Sequence, residues 1–192
     1  MTELLTMFAD SFDLPSLDWI QANLQCAFLD KIMPLITVLG DGGAFWIACA
    51  VLMMLLKKYR KAGISAGLAL IFGLVICNMI LKPTVARIRP YDYQDQLGIM
   101  INLLIEKEHS LSFPSGHTIA SFEAATAILL RHKKLGTAAM ILAILIAFSR
   151  MYLYVHYPTD VIASVFLGIG LAFLASWIVD KTAAAIKAKK AK

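Results

Sequence analysis

Charge is what this chain has least of. Only 16% of its 192 residues are Asp, Glu, Lys or Arg, while 59% are hydrophobic, and the mean hydropathy is +0.72. Soluble domains carry about 25% charged and about 45–50% apolar residues. The balance here excludes an ordinary soluble domain and points to a polytopic membrane protein. Cysteine is scarce as well. Cys26, Cys49 and Cys77 are odd in number, scattered and set in apolar surroundings, which excludes a disulfide framework and a cysteine metal site. They read as small core or lipid-facing residues. No basic stripe with interleaved aromatics occurs, so nucleic acid is not a partner. The N-terminus lacks the basic stretch and apolar run of a cleavable leader. Positive charge is missing from the first 30 residues, which hold Glu3, Asp10, Asp13, Asp18 and Asp30.

Long apolar runs are what the chain has instead. A membrane span needs about 20 apolar residues. Ala62–Leu81 and Val161–Val179 are uncharged runs of about that length. Gly42–Leu56 is shorter and borrows residues before Asp41. Ser110–Leu130 is interrupted only by His117 and Glu123, and Leu135–Ser149 continues past Arg150 to Val155. The expected fold is an all-α membrane bundle of five to six spans. Residues 1–40 form an N-terminal segment, 41–180 the membrane domain and 181–192 a basic tail. Within 14–40, Asp18, Asp30 and Lys31 interrupt the apolar pattern. An amphipathic helix in the interface is favoured over a sixth span. Glu123 is an acid inside a span, where it needs a partner.

Basic residues set the orientation. Lys57, Lys58, Arg60 and Lys61 follow the first confident span; Arg131, Lys133 and Lys134 follow the third; Lys181, Lys187, Lys189, Lys190 and Lys192 follow the fifth. Alternating spans put all of these on one side, the expected cytoplasmic side. The loops Lys82–Pro114 and Arg150–Asp160 then share the opposite face.

Those two loops hold the chain's chemistry. Lys82, Arg87, Arg89 and Arg150 lie on the side where positive charge is disfavoured, which suggests a local anion. Snorkelling at helix ends is the plainer alternative for any one of them. Arg offers a planar fork that holds two phosphate oxygens, and Lys a point charge. Pro114-Ser115-Gly116-His117 opens the third span. A helix N-terminus favours anions, Gly116 admits close backbone approach, and Ser115 supplies a hydroxyl or simply the N-cap. In Ser149-Arg150-x5-His156-x3-Asp160, a carboxylate holding one imidazole nitrogen leaves the other free as nucleophile or base. Asp160 also suits a helix N-terminus by itself. Phe113, Tyr91, Tyr93, Tyr152, Tyr154 and Tyr157 read as interfacial anchors, with lining of a tail entrance as the alternative. The apolar Leu97–Ile105 stretch reads as a lid on the bilayer.

Together the three segments resemble the signature motifs of the type 2 phosphatidic acid phosphatase superfamily: Lys82-x6-Arg89-Pro90, Pro114-Ser115-Gly116-His117 and Ser149-Arg150-x5-His156-x3-Asp160. Every defining position is present, in order, across about Gly40–Asp180. Ser112-Phe113 and Thr118 add similarity to small bacterial members. The resemblance implies that His156 attacks phosphorus and forms a phospho-histidine. It implies that Asp160 orients His156, and that His117 protonates the leaving oxygen. Lys82, Arg89, Ser115, Gly116 and Arg150 would hold the phosphate, with no metal and no cofactor. The implied substrate is a lipid phosphate or diphosphate taken from the bilayer, undecaprenyl diphosphate first and phosphatidylglycerol phosphate or phosphatidic acid as alternatives. A phosphotransferase, a vanadate-binding haloperoxidase and a non-catalytic lipid binder are the other classes open to such a pocket.

Overall fold

The computed structural model describes residues 3–190. Its helices are α1 (Glu3–Phe8), α2 (Leu14–Leu24), α3 (Ala27–Val38), α4 (Ala44–Leu55), α5 (Arg60–Leu74), α6 (Lys82–Val85), α7 (Pro90–Gln96), α8 (Gly116–Leu129), α9 (Lys133–Tyr152) and α10 (Pro158–Lys190). Wide π-helical turns at Ala9–Asp13 and Val75–Leu81 join α1 to α2 and α5 to α6. No strand occurs among the described residues.

Among the described residues, three helical stretches are long and apolar enough to cross a membrane: Arg60–Gln96, Lys133–Tyr152 and Pro158–Lys190. The bent pair Ala27–Val38 and Asp41–Leu55, with 43° between its halves, is long and apolar enough only when its halves are taken together, as a broken span or a re-entrant loop. The structure therefore couples the ambiguous residues 27–38 to the first confident span across a corner. That corner is built on Gly42 and Gly43, with φ of 57° and 67°, a region glycine enters without steric cost. The remaining expected span, third along the chain, is α8. It has 14 residues, about 21 Å at 1.5 Å per residue, which is short for a bilayer core of about 30 Å. It survives because it is the centre of the bundle, packed by α5, α9 and α10.

Helices inside a bilayer associate through close packing rather than through a hydrophobic drive, and the core is built accordingly. Ala50, Ala66, Ala124, Ala127 and Ala172 surround Trp46 and Ile146. Trp46 donates its Nε1–H to Ser121 Oγ at 2.9 Å. A Cβ on Gly63 would meet Ala50 O at 2.5 Å, and one on Gly168 would meet Ile119 O at 2.9 Å. The small residues thus serve contacts within the chain, α4 on α5 and α10 on α8.

One end of the bundle collects the basic turns. Lys61 and Arg131 both reach Asp180, at 3.7 and 2.9 Å, and Tyr59 meets His132 edge to face. At the other end the N-terminal aspartates grip the motif loops. Asp10 accepts from Tyr93, Asp18 from Tyr154, and Asp30 from Tyr152, at 3.0, 2.7 and 2.6 Å. Asp13 bonds Arg87 and Thr159. Four of the five carboxylates in the first 30 residues thus bind groups from elsewhere in the chain.

Candidate active site

Lys82 begins α6. The helix ends at Ala86, whose φ of 48° turns the chain into an extended stretch. In extended chain, residues two apart face the same side, so Arg87 and Arg89 both point inward and are buried. Pro90 then starts α7 at a position that needs no N–H. Ser115 caps α8, its Oγ accepting from Thr118 N at 3.4 Å. Pro158 starts α10, with Asp160 in its first turn.

These loops bring His156 to the centre. Its Nε2 lies 3.3 Å from Arg89 Nη1. Its Nδ1 lies 3.6 Å from Asp160 Oδ2, beyond hydrogen-bond length. Ser112 Oγ stands beside both, 3.4 Å from Nδ1 and 2.5 Å from Asp160 Oδ2. Asp160 and His156 are therefore neighbours without a direct hydrogen bond, and the Ser112 hydroxyl stands beside both. Asp160 is further fixed by Arg87 Nη1 at 2.6 Å, and Arg87 is held by Asp13 at 2.6 Å and stacked on the Tyr157 ring at 3.7 Å. Arg87 thus bridges two carboxylates behind the site and does not line the cavity. Burial, then Arg89 and Arg150, push the His156 imidazole well below its ordinary pKa. It is a neutral ring, with its Nε2 turned toward the cations.

A cavity of about 750 Å³ opens against this centre. Lys82, Arg89, Glu108, Ser110, Gly116, His117 and His156 line one end. Ile47, Val51, Met54, Ile64, Leu68 and Ile71 of α4 and α5 line the rest. A polar head end and an apolar body occur in one space. Lys82 Nζ reaches Ser110 Oγ at 3.3 Å. Ser115 and Asp160 are wholly buried and do not line the cavity, and the Ser115 N–H is taken by Ser164 Oγ at 2.8 Å. Ser115 is the N-cap, one of its two sequence readings. Glu123 does line the cavity. Its carboxyl fills the space left by the missing side chain of Gly73, and its Oε1 has no hydrogen-bond partner.

Several residues at the site lie outside the motifs, Ser110 among them. Ser112 adjoins the second one. Asp13 is 74 residues from Arg87, and no local pattern marks it. Glu108 places its carboxylate between the two arginines: Oε2 accepts from Arg89 Nη2 at 2.6 Å, and Oε1 from Arg150 Nη2. Burial alone would raise its pKa, but Arg150 and Arg89 hold it down to about 2. An internal anion occupies the arginine fork. The loop carrying it is no flat lid. Ile101, Leu103, Leu104 and Ile105 pack inward against Tyr91, Tyr152 and Val155, and only Leu97, Ile99 and Met100 stay exposed. Nor do Tyr91, Tyr152, Tyr154 and Tyr157 anchor at an interface; all four are buried as braces of the loops.

The comparisons agree with the geometry. The pattern of the PAP2 superfamily matches residues 62–183. An undecaprenyl-diphosphatase from Sulfolobus acidocaldarius is 32% identical over 151 residues, 78% of this chain and 70% of that protein. Phosphatidylglycerophosphatase B of Bacillus subtilis is 31% identical, over 78% of this chain and 68% of its own. The crystal structure of a PAP2-type phosphatidylglycerolphosphate phosphatase from Bacillus subtilis shares the fold, with a TM-score of 0.70 at 24% identity over 94% of this chain and 88% of that one. With its three motifs converging on one buried histidine, this membrane phosphatase belongs to the PAP2 superfamily.

Proposed function

We propose that this enzyme removes the terminal phosphate from a lipid diphosphate, undecaprenyl diphosphate, through a phospho-histidine at His156. The observation that carries the reading is the single cavity whose head end holds Lys82, Arg89, His117 and His156 and whose body is apolar. A lipid enters sideways from the bilayer, its tail along α4 and α5 and its phosphate at the N-terminus of α8. Arg89, Arg150 and Lys82 offset the charge that builds on the phosphoryl oxygens, with Gly116 close by. His156 Nε2 attacks, Asp160 steadies the ring from its Nδ1 side, and His117 gives a proton to the leaving oxygen. Water, deprotonated by His117, then releases phosphate.

Collection of the basic turns at one end supports a cytoplasmic placement of that end and an outward catalytic face on the plasma membrane. In this reading residues 41–180 are the catalytic bundle, 1–40 its clamp and 181–192 a basic tail against anionic headgroups. One observation favours a second substrate. Glu123 puts an unpartnered carboxyl in the cavity wall. A polyprenyl chain has nothing polar to offer it, whereas a glycerolipid such as phosphatidylglycerol phosphate has ester and hydroxyl groups. The test is phosphate release by purified protein in detergent with EDTA present, from undecaprenyl diphosphate and from phosphatidylglycerol phosphate. Preference for the diphosphate supports the first reading. Preference for the monoester, lost in Glu123→Leu, supports the second. Release from neither overturns both.

A further inference from the structure

The corner at Gly40-Asp41-Gly42-Gly43 belongs to none of the three motifs, yet it touches the second motif twice. Asp41 Oδ1 lies 2.7 Å from His117 Nε2. A Cβ on Gly40 would lie 2.5 Å from His117 Cδ2, so the imidazole rests against backbone that only glycine leaves bare. The left-handed pair Gly42 and Gly43 turns the chain immediately after Asp41. The corner thus fixes both the position of the ring and the partner of one nitrogen. The two partners differ in exposure: the Asp41 side chain is 60% exposed and that of His117 only 14%. The carboxylate meets water while the ring faces the cavity. Burial and the Arg150 guanidinium work against a charge on the ring, while Asp41, hydrogen-bonded to it, and Glu108 favour one.

We infer that Asp41 is the positioning residue of His117: it holds the Nε2–H, leaves Nδ1 for the substrate, and stabilises the imidazolium needed before the phosphate ester breaks. The inference rests on the reading of His117 as general acid. In the first half-reaction the bond from phosphorus to the leaving oxygen breaks and the bond to His156 Nε2 forms. The Nδ1 proton of His117 passes to the leaving oxygen. His117 is then neutral, with Nε2–H still on Asp41. In the second half-reaction Nδ1 takes a proton from water, the new P–O bond forms and the P–N bond breaks. The imidazolium is restored beside the same carboxylate. Each imidazole of the site then has its own carboxylate, Asp160 behind His156 and Asp41 behind His117.

General-acid help matters most when the leaving group is poor, and this separates positioning from mere structure. Phosphatidic acid expels an alcohol, whereas diacylglycerol diphosphate has the same tails and expels a phosphate. The turnover of both by wild type, Asp41→Asn, Asp41→Glu and His117→Ala is the test. Asp41→Asn is expected to lower kcat on phosphatidic acid by about 10²-fold, with little change in KM and a much smaller loss on the diphosphate. Asp41→Glu should recover part of that loss. His117→Ala should show the same selectivity more strongly. Equal losses on the two substrates in Asp41→Asn, or none, overturn the role of Asp41 while leaving His117 as judged by its own variant. If His117→Ala loses both substrates equally, the general-acid reading falls and the inference with it. Release from neither substrate by the wild type overturns the inference, since no alcohol is then expelled for His117 to protonate, and leaves the diphosphatase reading to its own assay.

Discussion

Asp13 and Arg87 meet at 2.6 Å, both side chains wholly shut off from solvent. Arg87 also holds Asp160 at 2.6 Å. A residue from the first helical turns thereby reaches the carboxylate behind the nucleophile. Breaking a buried ion pair by removing one partner costs about 3–5 kcal/mol. Asp13→Asn is expected to destabilise the protein by an amount of that order, read as thermal unfolding in detergent. Asp13→Ala should be at least as severe, since it also strands the Thr159 donors. An unchanged midpoint for both would show that the N-terminal segment does not brace the site.

Ser112 provides a second prediction. Its hydroxyl lies 2.5 Å from Asp160 and 3.4 Å from His156 Nδ1, while those two residues are 3.6 Å apart. Ser112→Ala removes a fully buried hydrogen-bond partner of Asp160 and loosens the ring. A fall in kcat of about ten- to hundredfold with KM nearly unchanged is expected in steady-state phosphate release. A KM effect alone would instead put Ser112 in substrate binding.

Glu108 sits between Arg89 and Arg150. In the proposed reading a substrate phosphate displaces it. Glu108→Gln removes the competing charge, so inorganic phosphate or vanadate should inhibit the variant at about tenfold lower concentration, equivalent to about 1.4 kcal/mol. Weaker inhibition would mean that the carboxylate organises the arginines rather than competing for them.

His156 makes stability depend on pH. Its folded pKa lies well below the ordinary value of about 6.5, so below that pH the unfolded chain binds a proton that the folded chain refuses. Stability then rises with pH wherever the unfolded state binds more protons. It is fully present above about pH 6.5 and is lost as pH falls, by up to about 1.4 kcal/mol per unit from this group. Thermal unfolding between pH 7.5 and 5.5, in wild type and in His156→Asn, measures this. The variant is expected to have the shallower slope, and identical slopes would contradict a suppressed imidazole.

The motifs were legible because phosphate chemistry demands particular residue types at fixed spacing, and Lys82, Arg89, His117, His156 and Asp160 all carry such marks. The spans were legible from apolar length, α8 included, but its extent was not: the run from Ser110 to Leu130 gives a helix only from Gly116 to Leu129. Its 14 residues are sheltered by neighbours that a linear reading does not see. Asp13, Asp41 and Glu108 were hidden for a different reason. Each serves the site through a partner many residues away, and an aspartate in a polar stretch looks the same whether it faces water or a buried guanidinium. The tyrosines misled in the opposite sense. Aromatics beside a span match an interfacial belt, but here their hydroxyls are drawn inward by Asp18, Asp30 and the Glu108 backbone.

The tie from residue 13 through residue 87 to residue 160 also sets an order of events during synthesis. A ribosome delivers Asp13 first, Lys82 to Arg89 second, His117 third and His156 with Asp160 near the end. A chain stopped after α9 already owns Lys82, Arg89, His117 and Arg150, but it lacks His156, and Arg87 has only one of its two carboxylates. It also lacks α10, which packs on α8 and α5. In the proposed reading the attacking group and the helix that completes the bundle therefore arrive together.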